Sequence, residues 1–360
     1  MSGGALLYGA TGYTGRQVAR RLAEAGVPVV LAGRNARSVG ALAEGLGLAS
    51  RVLDLEAPQA LAQAVADFQV VLHCAGPFEI TAAPMLDACL AAGVHYLDLS
   101  GEWPSFRDAM RCDAVAKARR AMVMPGVGLT IAATDCLLAL AKRAAPEASA
   151  LRLGVSRAQL VTRGTATSAA RLMSPDVVIR RAGELVTVPA GSLVHAFDFG
   201  EGLREASALS WADAVTGEFT TGVGDIEVYS ELGWPQRLSY RAAGVAMTLT
   251  GAGPWRALGG ALAAAWRDAP SEAARRLAGF TMVVEATDPW RRVTRLRLRT
   301  LDGYSVSVVT AAAAVERVLA GTWSAGFQTP ARVFGADFIL EVGCATLDTG
   351  AARLSGEVAA

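Results

Sequence analysis

Three glycines, Gly9, Gly12 and Gly15, stand between the apolar run Ala5–Tyr8 and a segment in which Val18, Leu22 and Ala25 recur at helical spacing. A strand that turns this tightly into a helix presents backbone N–H groups and a helix N-terminus at close range. A dinucleotide pyrophosphate needs that arrangement, and only glycine lets the chain approach so closely. The loop Gly9-Ala10-Thr11-Gly12-Tyr13-Thr14-Gly15 is therefore the candidate cofactor cradle. A plain tight turn would use the same glycines; the placement between strand and helix, with further βα units behind it, separates the two. The spacing is G-x-x-G-x-x-G, not the G-x-G-x-x-G of the NAD fingerprint.

From Ala5 to Met124 short apolar runs alternate with helical patterns, the signature of βαβ units on a parallel sheet. Strands are expected at Ala5–Tyr8, Val29–Ala32, Arg51–Leu53, Val70–Cys74, His95–Leu99 and Ala121–Met124. After Pro125 longer strands with some alternation follow, at Ala150–Val161, Asp176–Val188, Ile226–Tyr229, Phe280–Ala286 and Arg292–Leu301, and Asp302-Gly303 reads as a hairpin turn. Val245–Trp266 is apolar over nearly a membrane's width, but its glycines, Pro254 and Arg256 read as a loop entering a surface helix. The fold class expected is α/β, a Rossmann doubly wound parallel sheet plus a second α+β domain with a mixed or antiparallel sheet. The Rossmann domain is placed at 1–130, completed by 305–350, because Val309–Leu319 is apolar on most faces and needs cover on both sides. The substrate and dimerisation domain is placed at 131–304.

At the end of the second strand an NAD enzyme carries an acidic residue for the ribose hydroxyls. Here the chain reads Ala32-Gly33-Arg34-Asn35. Arg34 suits a 2′-phosphate and can stack on adenine, with Arg37 and Asn35 beside it, so NADP(H) is expected over NAD(H). Asp54 is a candidate for the adenine side or a helix N-cap. Cys74-Ala75-Gly76-Pro77-Phe78 closes the fourth strand and Ser100-Gly101 follows the fifth, both at the edge where ligands bind in such sheets. Glu102 and Asp135 are the candidate proton donors; a solvated surface role and a helix cap are their plainer readings. His73, His95 and His195 share no metal spacing and no metal is expected. Arg163, in the polar loop Thr162-Arg163-Gly164-Thr165, is the candidate for an anionic substrate group. Leu160, Leu172, Met173, Phe197, Phe199, Trp211 and Phe219 read either as core or as the wall of an apolar substrate site.

The 360 residues are 52% hydrophobic and 19% charged, with 34 basic against 33 acidic side chains and a net charge of +1. That is an ordinary globular composition with no global field drawing nucleic acid or an anionic surface, so a small-molecule substrate is favoured, with no nucleic acid and no integral membrane segment. Five scattered cysteines and the absence of a basic-then-apolar leader point to reduced thiols and a cytoplasmic location.

The blocks YGATGYTGR (Tyr8–Arg16), LAGRN (Leu31–Asn35), VVLHCAGPF (Val70–Phe78), HYLDLSGE (His95–Glu102), PGVG (Pro125–Gly128) with Asp135-Cys136, TRGTA (Thr162–Ala166), DFGEG (Asp198–Gly202), DIEVY (Asp225–Tyr229) and GFQTPARVFGADFIL (Gly326–Leu340) resemble the saccharopine dehydrogenase-like oxidoreductases, a family related to trans-acting enoyl reductases. The first two blocks are shared by many NADP reductases; the later ones are more specific. The resemblance implies a Rossmann domain completed by C-terminal residues, a second domain for substrate and homodimer contacts, and NADP-dependent oxidoreduction. The sequence departs from the family at Thr216-Gly217-Glu218-Phe219, where an aromatic or histidine more often precedes Thr-Gly. Three readings stay open: an NADPH-dependent reductase of a polarised bond, C=C ahead of C=O or C=N, in a small, largely apolar substrate; a saccharopine-type amino acid dehydrogenase; and a non-catalytic NADP-sensing Rossmann protein. An epimerase of the short-chain type is disfavoured, because no tyrosine is followed by lysine at Tyr-x-x-x-Lys spacing.

Overall fold

The computed structural model of the chain describes residues 3–156, 166–167, 170–171, 173–265 and 278–348. The chain divides into two compact units, one reaching to Ala133 and taking in Tyr304–Val342, the other comprising Thr134–Gly303 and the chain from Gly343.

In the first unit β1 (Ala5–Tyr8), α1 (Tyr13–Glu24), β2 (Val29–Gly33), α2 (Ala36–Leu46), β3 (Ala49–Val52), α3 (Pro58–Val65), β4 (Val70–His73), α4 (Phe78–Ala92), β5 (His95–Asp98), α5 (Trp103–Arg111), α6 (Asp113–Ala118) and β6 (Met122–Met124) alternate as the sequence pattern implies. All strand pairs are parallel, in the order β15-β6-β5-β4-β1-β2-β3, with β15 at Gly326–Phe327. The sequence reading missed β15, which is two residues long and too short for any alternation to register. Every residue of β1, β4 and β5 is buried, as expected of strands covered on both faces. Helix α1 ends in a left-handed glycine cap: Gly26 takes φ 67, its N–H bonds Ala23 O, and Val27 N–H bonds Leu22 O, closing a Schellman motif. Tyr8 pairs with Ala32 on one side and His73 on the other, so the strand order reverses on the two sides of β1 and leaves the crevice at the carboxyl ends of β1 and β4.

Gly303–Leu319 forms one helix, α11, and not the second arm of a hairpin at Asp302-Gly303. Its buried residues Val308, Ala311, Ala312, Val315 and Val318 recur at spacings of three and four, a helical period that outweighs the local Asp-Gly signal. Within the first unit Ser307 Oγ accepts the Leu129 N–H at 3.0 Å, and the Tyr304 ring meets Tyr13 edge-on at 5.2 Å.

The second unit is built on a mixed sheet. Its strands are β7 (Ala150–Val155), β8 (Asp176–Arg181), β9 (Glu184–Pro189), β10 (Val194–Asp198), β11 (Leu203–Ala208), β12 (Asp225–Glu231), β13 (Thr281–Thr287), β14 (Val293–Thr300) and β16 (Ala345–Asp348). They run β10-β11-β12-β7-β13-β14-β16, with β8 on β12 and β9 on β8; only β7 and β12 pair in parallel. The expected strand Asp176–Val188 is a hairpin, turning at Ala182 (φ 47) and Gly183 (φ 82). Helices α7 (Thr134–Ala144) and α8 (Asp213–Thr221) pack against each other.

Residues 245–265, the described part of the stretch expected as a loop entering a helix, are helical on both sides of a single break. Helix α9 runs Trp234–Thr250, and α10 follows at once over Ala252–Ala264. The break is Gly251, at φ 79 and ψ 154, a conformation open essentially to glycine alone. The other glycines lie within helix: a Cβ on Gly259 would meet Ala170 at 2.9 Å, so that glycine serves close packing.

Candidate functional site

The glycine loop and the loop after β4 meet at the reversal point. Gly9 takes φ 81, and a Cβ there would lie 2.7 Å from Ala75 N. A Cβ on Gly15 would stand 2.3 Å from Gly9 O, closer than any side chain tolerates. Gly12 differs: its nearest neighbour would be Gly9 O at 3.3 Å, and it is exposed. Two glycines thus serve the chain's own packing, whereas Gly12 faces outward as the N-cap of α1. No side chain caps that helix and no acidic residue occupies its first turn, which leaves an N-terminal dipole suited to an anion. Ala10 is fully buried and fixes the turn from beneath; Thr11, Tyr13 and Thr14 are half-exposed around it.

Arg34 follows β2 and is exposed, with no hydrogen bond or ion pair among the described residues. It lies near enough to Tyr8 that its charge and that of Asp54 act on the phenol in opposite directions, while burial pushes the phenol up. Asn35 is the N-cap of α2, its side chain accepting Ser38 N–H at 2.9 Å, so its side-chain oxygen is engaged in starting that helix. Asp54 does not cap α3; it accepts Glu56 N–H one turn earlier, at 3.0 Å, and Ala57 takes the cap position.

After β4, Cys74 is half-buried and its thiol is pushed up by burial and by Asp98, which keeps it uncharged. Gly76–Pro77 is a cis peptide, Pro77 is the N-cap of α4, and Phe78 packs edge-on against His73 at 5.3 Å. His73 itself is fully buried, and its pKa is driven down to about 3 by that burial. Thr81 Oγ1 donates to Ala75 O at 2.6 Å and therefore accepts from His73 Nε2 at 3.0 Å, which fixes the neutral Nε2–H tautomer. His73 is a strut for the Cys74–Phe78 turn.

The third loop is held by Asp98. Oδ1 accepts Ser100 N–H (2.8 Å), Ser100 Oγ–H (2.6 Å) and Gly126 N–H (2.8 Å), and Oδ2 accepts Tyr96 O–H (2.8 Å). Four donors tie the end of β5 to the loop after β6, although burial still raises the carboxyl above its ordinary value. Ser100 is therefore engaged beneath the site and is fully buried. Glu102 is not a solvated surface residue: it is 4% exposed, is the N-cap residue of α5, and takes the Gly101 N–H at 2.9 Å. A Cβ on Gly101 would touch Thr130 at 3.0 Å.

Asp135 lies in the second unit, in the first turn of α7, where its Oδ1 accepts the Thr220 hydroxyl. Beside it is a residue that the sequence did not single out. Asp213 opens α8, is fully buried, and neither carboxylate oxygen reaches a hydrogen-bond partner of ordinary geometry among the described residues. Burial raises its pKa to about 8; the Thr134 hydroxyl opposes that rise, and the Asp135 charge adds to it. An Asp in a first helical turn reads as a cap, and only the packing of α7 against α8 buries it.

Arg163, Leu160 and Leu172 lie outside the described residues. Phe197 and Phe199 are not a substrate wall: they belong to the core of the second sheet with Val177, Ile179, Ala206 and Tyr229, and Phe197 fills the space above Gly154. Met173, Trp211 and Phe219 are half-buried. His95 Nδ1 accepts Met122 N–H at 3.0 Å, and His195 pairs with Glu285 at 2.8 Å, so each histidine has a protein partner. Among the described residues no group of three His, Cys, Asp or Glu gathers to hold a metal ion, and no helix is long and apolar enough to cross a membrane.

Residues 5–124 match the family model of the saccharopine dehydrogenase NADP-binding domain. A Mycobacterium tuberculosis protein is 39% identical over 104 residues, and the trans-acting enoyl reductase of Mycobacterium ulcerans is 36% identical over 104; each match covers 27% of this chain and 25% of the relative. The chain thus spans about a quarter of the length of the curated relatives it matches. The apo saccharopine dehydrogenase (L-Glu forming) of Saccharomyces cerevisiae shares the fold at a TM-score of 0.58 and 13% identity, over 95% of this chain and 96% of that one.

Proposed function

From the premise that residues 5–124 form a saccharopine dehydrogenase NADP-binding domain, we propose that the protein is an NADPH-dependent oxidoreductase that reduces a polarised double bond, C=C ahead of C=O or C=N, in a small, largely apolar substrate. The observation that carries the cofactor half is Arg34 at the end of β2, without a hydrogen bond or ion pair among the described residues, where the sequence has no carboxylate to meet a ribose hydroxyl. Gly9–Gly15 and the N-terminus of α1 would hold the pyrophosphate, and the Cys74–Phe78 turn would lie under the nicotinamide half. NADPH, when bound, supplies the hydride. Protein groups must orient the acceptor, keep water out and deliver a proton. Glu102 suits the last task because it is buried, anchored to Gly101 N–H, and stands after β5, next in the sheet to β4. The preference for C=C rests on the relatives named trans-acting enoyl reductases, and on the many cationic groups an amino-dicarboxylate would require.

NADPH consumption against α,β-unsaturated thioesters, cyclic imines, ketones, and glutamate with aminoadipate semialdehyde tests the reading. Turnover confined to the last pair would replace it with a saccharopine-type activity, and no turnover at all with a cofactor-sensing role. Arg34→Ala is expected to weaken NADPH binding ten- to a hundredfold, on the order of 1.5–3 kcal/mol for one charge-assisted contact, and to leave NADH binding nearly unchanged. Equal NADPH affinity in titrations of the two proteins contradicts that. With the accepted substrate, Glu102→Gln is expected to lower kcat about a hundredfold at unchanged NADPH affinity; wild-type turnover would remove Glu102 from the chemistry.

A further inference from the structure

The helical pair α9–α10 is built inside out. Its buried residues are chiefly small: Gly244 packs on Ala190 and Pro175 and Gly259 on Ala170 and Met173, while Met247 is buried and Tyr240 and Trp255 are half-buried. Its large apolar residues point to solvent. Trp234, Leu238, Val245 and Leu249 recur at spacings of four, seven and four, which places them on one stripe of α9; Leu258 and Leu262 form a second on α10. Exposure runs from 56% at Leu258 to 82% at Leu249, and these six are drawn from the fourteen exposed large hydrophobics found among all the described residues. Scattered exposed leucines need no explanation; six concentrated between residues 234 and 262 on two touching helices do.

Charge narrows what covers them. Between Glu231 and residue 265 there is no Asp, Glu or Lys, and the charged residues are Arg237, Arg241 and Arg256. Arg237 and Arg241 fall three or four positions from Trp234, Leu238 and Val245, on the margin of the stripe. Arg241 is exposed, Arg237 reaches Glu205 at 2.5 Å, and Arg256 anchors its Nε on Met173 O at 2.9 Å. A second copy laid on this face would bring arginines to arginines with no carboxylate on the two helices to meet them. An apolar stripe edged by arginine and opened by an exposed tryptophan has instead the make-up of a helix lying in the headgroup region of an anionic bilayer.

We propose that α9 and α10 form a peripheral docking surface for an anionic lipid bilayer, with Trp234, Leu238, Val245, Leu249, Leu258 and Leu262 entering the interface and Arg241 meeting the headgroups. This inference stands apart from the reductase reading. The full chain is expected to co-sediment with phosphatidylcholine vesicles containing phosphatidylglycerol, less with phosphatidylcholine alone, and less in high salt. Leu249→Asp combined with Leu262→Asp is expected to cut binding at least about tenfold, and Arg241→Ala to lower the preference for anionic vesicles. All these side chains are exposed, so thermal unfolding and NADPH affinity should not move. Absence of the protein from both vesicle pellets overturns the proposal, as does wild-type binding by the double variant. So does a solution dimer that the double variant dissolves while neither form binds vesicles, since the covering partner is then a second copy.

Discussion

Gly15→Ala is expected to cost roughly 3 kcal/mol or more of stability and to abolish measurable NADPH binding, whereas Gly12→Ala is expected to leave the melting temperature nearly unchanged and still weaken NADPH. The contrast follows from what each new Cβ would meet. At Gly15 the obstacle is a backbone oxygen at 2.3 Å, and relieving it means moving α1 off the loop. At Gly12 the nearest atom is Gly9 O at 3.3 Å, which needs to give by only a few tenths of an ångström to admit the methyl, and the methyl then occupies the approach to the uncapped helix N-terminus. Calorimetry of both apo variants with NADPH titration of each checks the pair. Equal destabilisation by the two, or tight binding by Gly12→Ala, contradicts the division of labour.

Asp213→Asn is expected to stabilise the protein at pH 8 by on the order of 3–5 kcal/mol and to change little at pH 4. The sign follows from linkage. Asp213 is fully buried with a folded-state pKa of about 8, far above the ordinary 3.8. Between those values the unfolded chain has released the proton and the folded chain keeps it, so the unfolded state binds fewer protons and stability falls as pH rises. The decline begins near pH 4 and levels off once the folded carboxyl has ionised, above about pH 8. Asparagine keeps the shape and cannot ionise, so the variant's profile should be flat where the wild type slopes. Urea unfolding at pH 4, 6 and 8 decides it; parallel profiles for the two proteins mean that Asp213 is already charged in the folded state.

Both predictions show where the sequence was informative and where it was not. The glycine loop and the order of strand and helix through Met124 were legible because each rests on a local rule: a glycine where a Cβ cannot fit, a period of two or 3.6. The Asp302-Gly303 turn was misread by the same kind of rule, since a two-residue signal was set against the helical burial of Val308, Ala311 and Val315. At Val245–Trp266 four glycines suggested a loop, but three of them lie in helices and only Gly251 breaks the chain.

The sequence by itself determined that the first third of the chain winds βα units around a glycine loop, because strand period and glycine placement are properties of neighbouring residues. Only the tertiary structure decided which polar groups are buried. Asp98 gathers donors from Tyr96, Ser100 and Gly126, the last of them 28 positions away from it. Asp213 loses its water to a helix that begins at Thr134. Phe197 and Phe199 became core, not substrate wall, because β10 pairs beside β11 over a glycine of β7. Desolvation depends on which elements pack together, and a linear pattern carries the faces of each element but not their partners.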